Sequence, residues 1–68
     1  MDKKKVILGQ ALQQGLTKLK FQKLTGLPSA TFDRRMARPD TITIGELRRM
    51  DQLAHFGDKL LLELIRNT

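Results

Sequence analysis

The sequence predicts an all-α domain of five short helices. Apolar residues recur at spacings of three and four along most of the chain, as in helices that bury one face. Gly15, Gly26 and Gly57 follow these runs, where a helix commonly ends in a left-handed residue. A chain of 68 residues has the length of one small domain, and we assign residues 1–68 to it. The predicted helices span about residues 3–14, 17–25, 29–36, 44–55 and 58–66.

The first predicted helix starts after Asp2, whose carboxylate suits an N-cap, and ends at Gly15. Its apolar residues fall at helical spacing and are expected to face the core: Val6, Ile7, Leu8, Ala11 and Leu12. We interpret the basic cluster Lys3–Lys5 as a solubilising end, with contact to a phosphate as the alternative.

The second predicted helix starts after Thr17, a favourable N-cap residue. Phe21 and Leu24 lie three positions apart and form its expected buried stripe. Leu19 is expected to add a further apolar contact, against the first helix.

A tight turn follows at Gly26, Leu27 and Pro28. Gly26 can adopt a left-handed φ without steric cost, and Leu27 can place its side chain in the groove between two helices. Pro28 ends one helix and starts the next because it has a fixed φ and no N–H. Phe32 of the next helix is expected to face inward. Two helices joined by a short Gly-containing turn form the arrangement of a DNA-binding helix-turn-helix.

The fourth predicted helix starts with the pattern of a capping box, formed by Thr43 and Glu46, and Ile42 has the position of a hydrophobic staple. Gly57 is expected to end this helix, and Asp58 is expected to cap the fifth. Four polar residues of the fourth helix are expected to face solvent: Arg48, Arg49, Asp51 and Gln52.

The net charge of +6 is unevenly distributed along the chain. Residues 18–38 hold six basic residues and one acidic residue, which gives +5. Residues 1–17 contribute +2, and residues 39–68 contribute −1. The positive charge therefore coincides with the predicted helix-turn-helix, where a polyanion would bind. A solvated basic face is the alternative interpretation.

The composition argues against several other classes of protein. The chain has no Cys and one His, so neither a disulfide nor a metal site is expected. It has no Trp or Tyr, which argues against readers that stack single-stranded bases on aromatic rings. The longest apolar run is three residues and no secretory signal is recognisable, so we expect a cytoplasmic protein without a membrane span. His55 is interpreted as a helix-end residue, and neither catalytic residues nor a cofactor are expected.

The block from Thr17 to Phe32 resembles the helix-turn-helix of the Cro/repressor-type (XRE-like, lambda-repressor-like) DNA-binding proteins. The residues that carry the resemblance are Phe21 and the run TGLPSATF at 25–32. The following run RRMARPDTITIGELRRM is similar to small phage-related regulators whose fourth helix starts with a Thr-Ile-Gly-Glu-Leu run. The resemblance extends over about residues 3–66, and it implies a compact five-helix lambda-repressor-like domain.

The resemblance implies that the helix starting near Ser29 enters the major groove of double-stranded DNA, with Ser29, Ala30, Asp33 and Arg34 facing the bases. Arg34 has the chemistry to bind guanine O6 and N7, and Asp33 can accept from cytosine N4. A tether for neighbouring basic side chains is the alternative role of Asp33. The residues assigned to phosphate contacts are Thr17, Lys18, Arg35 and Arg38.

Two positions depart from the family pattern. Gln22 stands where a small residue, usually Ala, allows the two helices to cross closely. We expect either a changed crossing angle or a Gln22 side chain that bends outward. Arg35 stands where an apolar residue is common, and Met36 is expected to take over the core position.

The sequence thus favours a sequence-specific transcriptional regulator that binds double-stranded DNA. A helical protein-interaction module, similar to antitoxins or anti-repressors, is the main alternative because one fold can serve several functions. Non-specific architectural binding to DNA is a third hypothesis. Leu62 lies outside the apolar face of the fifth helix that the core of one chain needs, so its side chain is expected to be exposed in a monomer. This predicts a weak homodimer through the fourth and fifth helices.

Overall fold

The computed structural model describes residues 1–66, which contain five α-helices and one 3-10 turn. The helices are α1 (Lys3–Gln13), α2 (Lys18–Thr25), α3 (Ser29–Ala37), α4 (Ile44–Ala54) and α5 (Gly57–Arg66), and the 3-10 turn spans Pro39–Thr41. Every helix boundary lies within one residue of the prediction, and residues 1–66 contain no strand. The all-α class and the number of helices are therefore confirmed.

The ends of α1 follow from local hydrogen bonds. The N–H of Lys5 donates to the Asp2 carboxylate at 3.2 Å, as expected for an N-cap. At the other end, the N–H of Leu16 donates to the Ala11 carbonyl and the N–H of Gly15 donates to the Leu12 carbonyl, both at 2.9 Å. This pair of bonds is a Schellman motif, with Gly15 left-handed at a φ of +77°.

The core is formed by one cluster of buried apolar side chains. Phe21 of α2 meets Phe32 of α3 edge to face, with ring centroids 5.9 Å apart. Helix α4 packs against both α1 and α2, and α3 packs against α1 and α2. The Cα radius of gyration is 10.6 Å, close to the ~11 Å expected of a compact chain of this length. The buried residues are Ile7, Ala11, Phe21, Phe32, Met36, Leu47, Met50, Ala54, Phe56 and Leu64.

Three leucines expected to be buried are exposed instead. The side chains of Leu12, Leu19 and Leu24 face solvent. The side of α2 that faces the core is centred between Phe21 and Thr25, and Thr25 also takes part in the turn that follows. A step of three residues from Phe21 rotates by about 60° in the other direction, which places Leu24 outside the core-facing side. Leu12 similarly lies about 100° beyond Ala11, at the edge of the buried face of α1.

The connection between α4 and α5 also differs from the expectation. His55, not Gly57, ends α4, with a left-handed φ of +55°, and Gly57 is the first residue of α5. The Asp51 carboxylate, expected to face solvent, accepts a hydrogen bond from the N–H of Phe56 at 3.1 Å. Because the Phe56 side chain is buried, the chain has to leave α4 early enough to turn that ring into the core. Asp58 lies in the first turn of α5.

Within residues 1–66, none of the five helices is both long enough and apolar enough to cross a bilayer.

Replacing Gly26 with Ala is expected to lower the free energy of unfolding by about 1 kcal/mol, because an Ala side chain is strained at a φ of +80°. Gly9 is the matched control, since it lies inside α1 and an added Cβ meets no packed atom within 4 Å. Gly9→Ala is expected to raise the free energy of unfolding by about 0.5–1 kcal/mol. Urea denaturation measures both, and equal effects at the two positions would contradict the role given to the turn.

Candidate nucleic-acid interface

Helix α3 presents one exposed face and one buried face. Successive residues rotate by about 100°, so positions 29, 30, 33, 34 and 37 share one arc of the helix. All five residues are exposed, whereas Phe32 and Met36 on the other side are buried. The structure therefore brings the four predicted base-reading residues together on a single solvent-facing surface. They are Ser29, Ala30, Asp33 and Arg34.

The turn between α2 and α3 is held by a small hydrogen-bond network. Gly26 has the predicted left-handed conformation, and its N–H donates to the Lys23 carbonyl. The Thr25 hydroxyl donates to the Gln22 carbonyl at 2.6 Å and accepts from the N–H of Leu27 at 3.3 Å. The Gln22 amide donates to the Leu27 carbonyl. Gln22 is thus half-buried and stabilises the turn, and the expectation that it bends outward is wrong.

The first turn of α3 is open to solvent. Pro28 precedes the helix, and its carbonyl accepts from the N–H of Phe32 at 2.9 Å. The helix start has no side-chain cap, and Ser29 and Ala30 are exposed there. Backbone N–H groups at a helix start without a cap favour an anionic group nearby.

An ion pair joins the start of α2 to the middle of α3. Lys18 Nζ lies 3.4 Å from Asp33 Oδ1, and these side chains are 55% and 59% exposed. Thr17 caps the helix, since its Oγ1 accepts from the N–H of Lys20 at 3.3 Å. The predicted phosphate contacts Thr17 and Lys18 therefore lie beside the exposed face of α3.

An open cleft of about 280 Å³ separates the start of α2 from α3. Leu19 lies at its edge with 61% of the residue exposed, and Phe32 lies deeper. Sequence reasoning placed Leu19 against α1 and missed this position. The available signal was its place in the first turn of α2, beside the predicted contact Lys18. The cleft is lined by Lys18, Leu19, Gln22, Ser29, Phe32 and Asp33.

Arg35 lies on the opposite side of α3 from Asp33 and Arg34. Its Nε donates to Glu46 Oε1 at 3.0 Å, and the two side chains are only 25% and 17% exposed. Met36 is buried, so it occupies the core position that the sequence assigned to it. The structure thus separates Arg35 from the other predicted contacts and ties it to the start of α4.

Glu46 serves the cap of α4 and the ion pair at the same time. It accepts from the N–H of Thr43 at 2.9 Å while the Thr43 hydroxyl accepts from its own N–H at 3.1 Å, which confirms the predicted capping box. Partial burial by itself raises the pKa of Glu46. The hydrogen bonds from Thr43 and the charge of Arg35 outweigh that effect, so the pKa lies below its ordinary value.

Arg49 is exposed, as expected, and it also connects α4 to the end of α2. Its Nε and Nη2 donate to the Leu24 carbonyl at 3.3 and 3.2 Å. This carbonyl belongs to the last turn of α2, where carbonyl groups lack helical partners and the helix dipole favours a cation. Helix α4 therefore holds α2 through Arg49 and α3 through the pair of Arg35 and Glu46.

Arg38 marks the far end of α3. It is the exposed C-cap residue, and its carbonyl accepts from the N–H of Thr41 at 2.9 Å and from the Thr41 hydroxyl at 2.6 Å. Nine residues of helix separate it from Ser29 by about 13 Å along the axis. Lys18, paired with Asp33, lies beside the middle of the exposed face, whereas Arg38 lies at its C-terminal end.

Residues 1–66 hold no group of three or more His, Asp or Glu side chains with the geometry to bind a metal ion. His55 is exposed at the end of α4.

Comparisons with family models, curated proteins and solved structures found no match to this chain. The resemblance to the Cro/repressor-type helix-turn-helix is therefore a prediction from the residues of this sequence.

Replacing Glu46 with Gln is expected to lower the free energy of unfolding at pH 7 by roughly 1 kcal/mol, because the amide keeps the cap and loses the charge that binds Arg35. The folded-state pKa of Glu46 is lowered, so the stabilising charge is fully present above about pH 4.5 and is lost as the pH falls through the folded value. The difference between wild type and Glu46→Gln should therefore shrink below about pH 4.5.

Urea denaturation between neutral and acidic pH measures this difference. Asp58→Asn, at an exposed carboxylate of α5, is the control. A wild-type advantage over Glu46→Gln that stays constant on acidification would show that the charge of Glu46 does not stabilise the fold.

Proposed function

We propose that this protein is a sequence-specific regulator of transcription that binds double-stranded DNA with α3 in the major groove. The observation that carries the proposal is the exposed face of α3, which presents Ser29, Ala30, Asp33 and Arg34. This face belongs to residues 18–38, the most basic segment of the chain. An α-helix fits the major groove, where base edges can be distinguished by their donors and acceptors. The proposal needs no cofactor and no catalytic residue.

The proposed base contacts follow from the chemistry of each side chain. Arg34 donates two hydrogen bonds to guanine O6 and N7, and Asp33 accepts from cytosine N4. Ser29 is small enough to approach a base edge or a phosphate, and Ala30 can contact a thymine methyl group. Three polar side chains and one apolar side chain therefore lie along about 9 Å of helix, which is enough for a few base pairs.

The proposed phosphate contacts lie around that face. Lys18 is exposed beside the middle of that face and Arg38 is exposed at its C-terminal end, and the Thr17 hydroxyl can donate to a phosphate while it caps α2. Arg35 was also assigned to a phosphate, and we propose that its main role is to hold α3 against α4 through Glu46. Phosphate contacts contribute affinity and position α3 without reading sequence.

The proposal extends the resemblance to Cro/repressor-type, lambda-repressor-like regulators, including their phage-related members. It implies a cytoplasmic location, since that is where a regulator of this kind meets DNA.

A protein-interaction module is the second candidate function. Several large apolar side chains are exposed, among them Leu12, Leu19 and Leu24, and an antitoxin-like or anti-repressor-like protein would cover such side chains with a partner. Non-specific architectural binding would instead depend on the positive charge alone.

Titration against DNA fragments at two salt concentrations separates these functions. A regulator prefers certain fragments, whereas an architectural protein binds all fragments alike and loses affinity steeply with salt. Absence of any DNA affinity at low salt would contradict both and favour the interaction module.

Replacing Arg34 with Ala is expected to cost about 1–3 kcal/mol of binding free energy and to relax the preference at one base pair. Lys59→Ala is the control, because it removes the same charge from an exposed position of α5. Replacing Lys18 or Arg38 should weaken binding to all sequences and reduce the salt slope by about 1. Selection of bound sites from random duplexes measures the preference, and an unchanged site for Arg34→Ala would assign base reading to another residue.

We also propose a weak homodimer through α4 and α5. Leu62 of α5 and Ile44 of α4 are each 56% exposed, and residues 39–68 carry a net charge of only −1. Two copies can therefore meet on this side without the repulsion that the basic segment would cause. A dimer would present two α3 helices to paired half-sites about one turn of DNA apart.

Leu62→Glu is expected to shift the monomer–dimer equilibrium toward monomer, because it places a charge in the proposed apolar contact. Leu12→Glu is the matched control, at a leucine of α1 that is 66% exposed. Sedimentation equilibrium at high protein concentration measures the equilibrium. Wild-type protein that stays monomeric throughout would remove the dimer from the proposal.

A further inference from the structure

The Lys18–Asp33 pair combines the one acidic residue of segment 18–38 with a predicted phosphate contact. We propose that Asp33 determines the selectivity of the DNA interface by competing with phosphate for Lys18. This inference rests on the proposed function. When Lys18 moves from Asp33 to a phosphate, binding free energy is kept only where a cytosine amino group binds the Asp33 carboxylate instead. Asp33 is then a specificity-determining residue as well as a base contact.

The geometry makes the pair exchangeable. Both side chains are more than half exposed, and the two atoms lie at 3.4 Å, a loose contact at the mouth of the cleft between α2 and α3. An exposed ion pair of this kind shifts an equilibrium by about fivefold at most. A phosphate of bound DNA can therefore take Lys18 from Asp33, which a buried and multiply bonded pair would not allow.

The consequence for Asp33 depends on the DNA sequence. When a phosphate takes Lys18, the Asp33 carboxylate is left near negative charges in a groove that excludes part of the water. A cytosine in reach supplies an N4 donor and satisfies the carboxylate. Any other base at that position leaves the carboxylate without its partner, and binding is weaker. Repulsion from the wrong sequence then adds to attraction for the right one.

A purely structural role explains the position of Asp33 less well. Its carboxylate contacts Lys18 and no backbone donor in the described chain, and it caps no helix. Phe32 beside it is buried and holds α3 to α2 through Phe21. Asp33 projects instead from the same face as Ser29 and Arg34. The packing of α2 against α3 therefore has other sources.

The test compares wild type with Asp33→Asn, Asp33→Glu, Lys18→Met and the double variant Lys18→Met/Asp33→Asn. Each is titrated with the duplex selected by the wild type, with single-base variants of it, and with a scrambled duplex, at several salt concentrations. Asp58→Asn is the control for net charge, since it adds the same +1 at an exposed position of α5. Thermal unfolding of each variant shows that the fold is kept.

Asp33→Asn is expected to bind the scrambled duplex about two- to fivefold more tightly, with a salt slope steeper by about 0.9 because Lys18 is free for one more phosphate. It should also lose about five- to a hundredfold of discrimination at one base pair, that of the cytosine. Asp33→Glu should restore part of this discrimination. In the Lys18→Met background, Asp33→Asn should tighten scrambled binding no more than Asp58→Asn does.

Two results would overturn the inference and leave the proposed function standing. Asp33→Asn that keeps the wild-type base preference would assign Asp33 to structure alone. If Asp33→Asn and Asp58→Asn gain the same affinity for the scrambled duplex while Lys18 is intact, the effect of Asp33 is one of net charge. Wild-type protein that binds no DNA at low salt would instead overturn the proposed function, and this inference with it.

Discussion

The edge-to-face contact of Phe21 with Phe32 is the interaction on which the rest of the structure depends. It joins α2 to α3 at the centre of the core, and both rings are buried. With only 68 residues, the chain has a small core, so the loss of either ring would remove a large share of the buried apolar surface. The exposed face of α3 keeps its direction because its opposite face carries Phe32.

Polar contacts around this apolar centre set the angles between helices. Gln22 and Thr25 form hydrogen bonds within the turn between α2 and α3. Arg35 connects α3 to α4, and Arg49 connects α2 to α4. Apolar packing is not directional, whereas hydrogen bonds to a carbonyl or carboxylate are. The proposed reading of base edges would need its side chains placed within a fraction of an ångström, and such contacts would help to place them.

Much of the fold was predictable because its signals are local. The cap at Asp2, the left-handed Gly26 and the capping box of Thr43 each depend on neighbours within a few positions. The errors arose at helix ends and turns, where several side chains together override simple spacing. Leu24 follows Phe21 at helical spacing, yet it is exposed, and Thr25 takes part in the turn. Phe56 is buried, and the left-handed residue after α4 is His55, whereas Gly57 starts α5.

The sequence by itself determined the helices, their caps, the turn and the face of α3 that carries Ser29, Asp33 and Arg34. Helical period and capping act over one or two turns, and one sequence contains all of that information. Only the tertiary structure decided which basic side chains form contacts between helices. Arg35 binds Glu46 eleven positions away, and Arg49 binds the carbonyl of Leu24 twenty-five positions away. Such contacts depend on how helices cross in the core, a property that no short segment of sequence encodes.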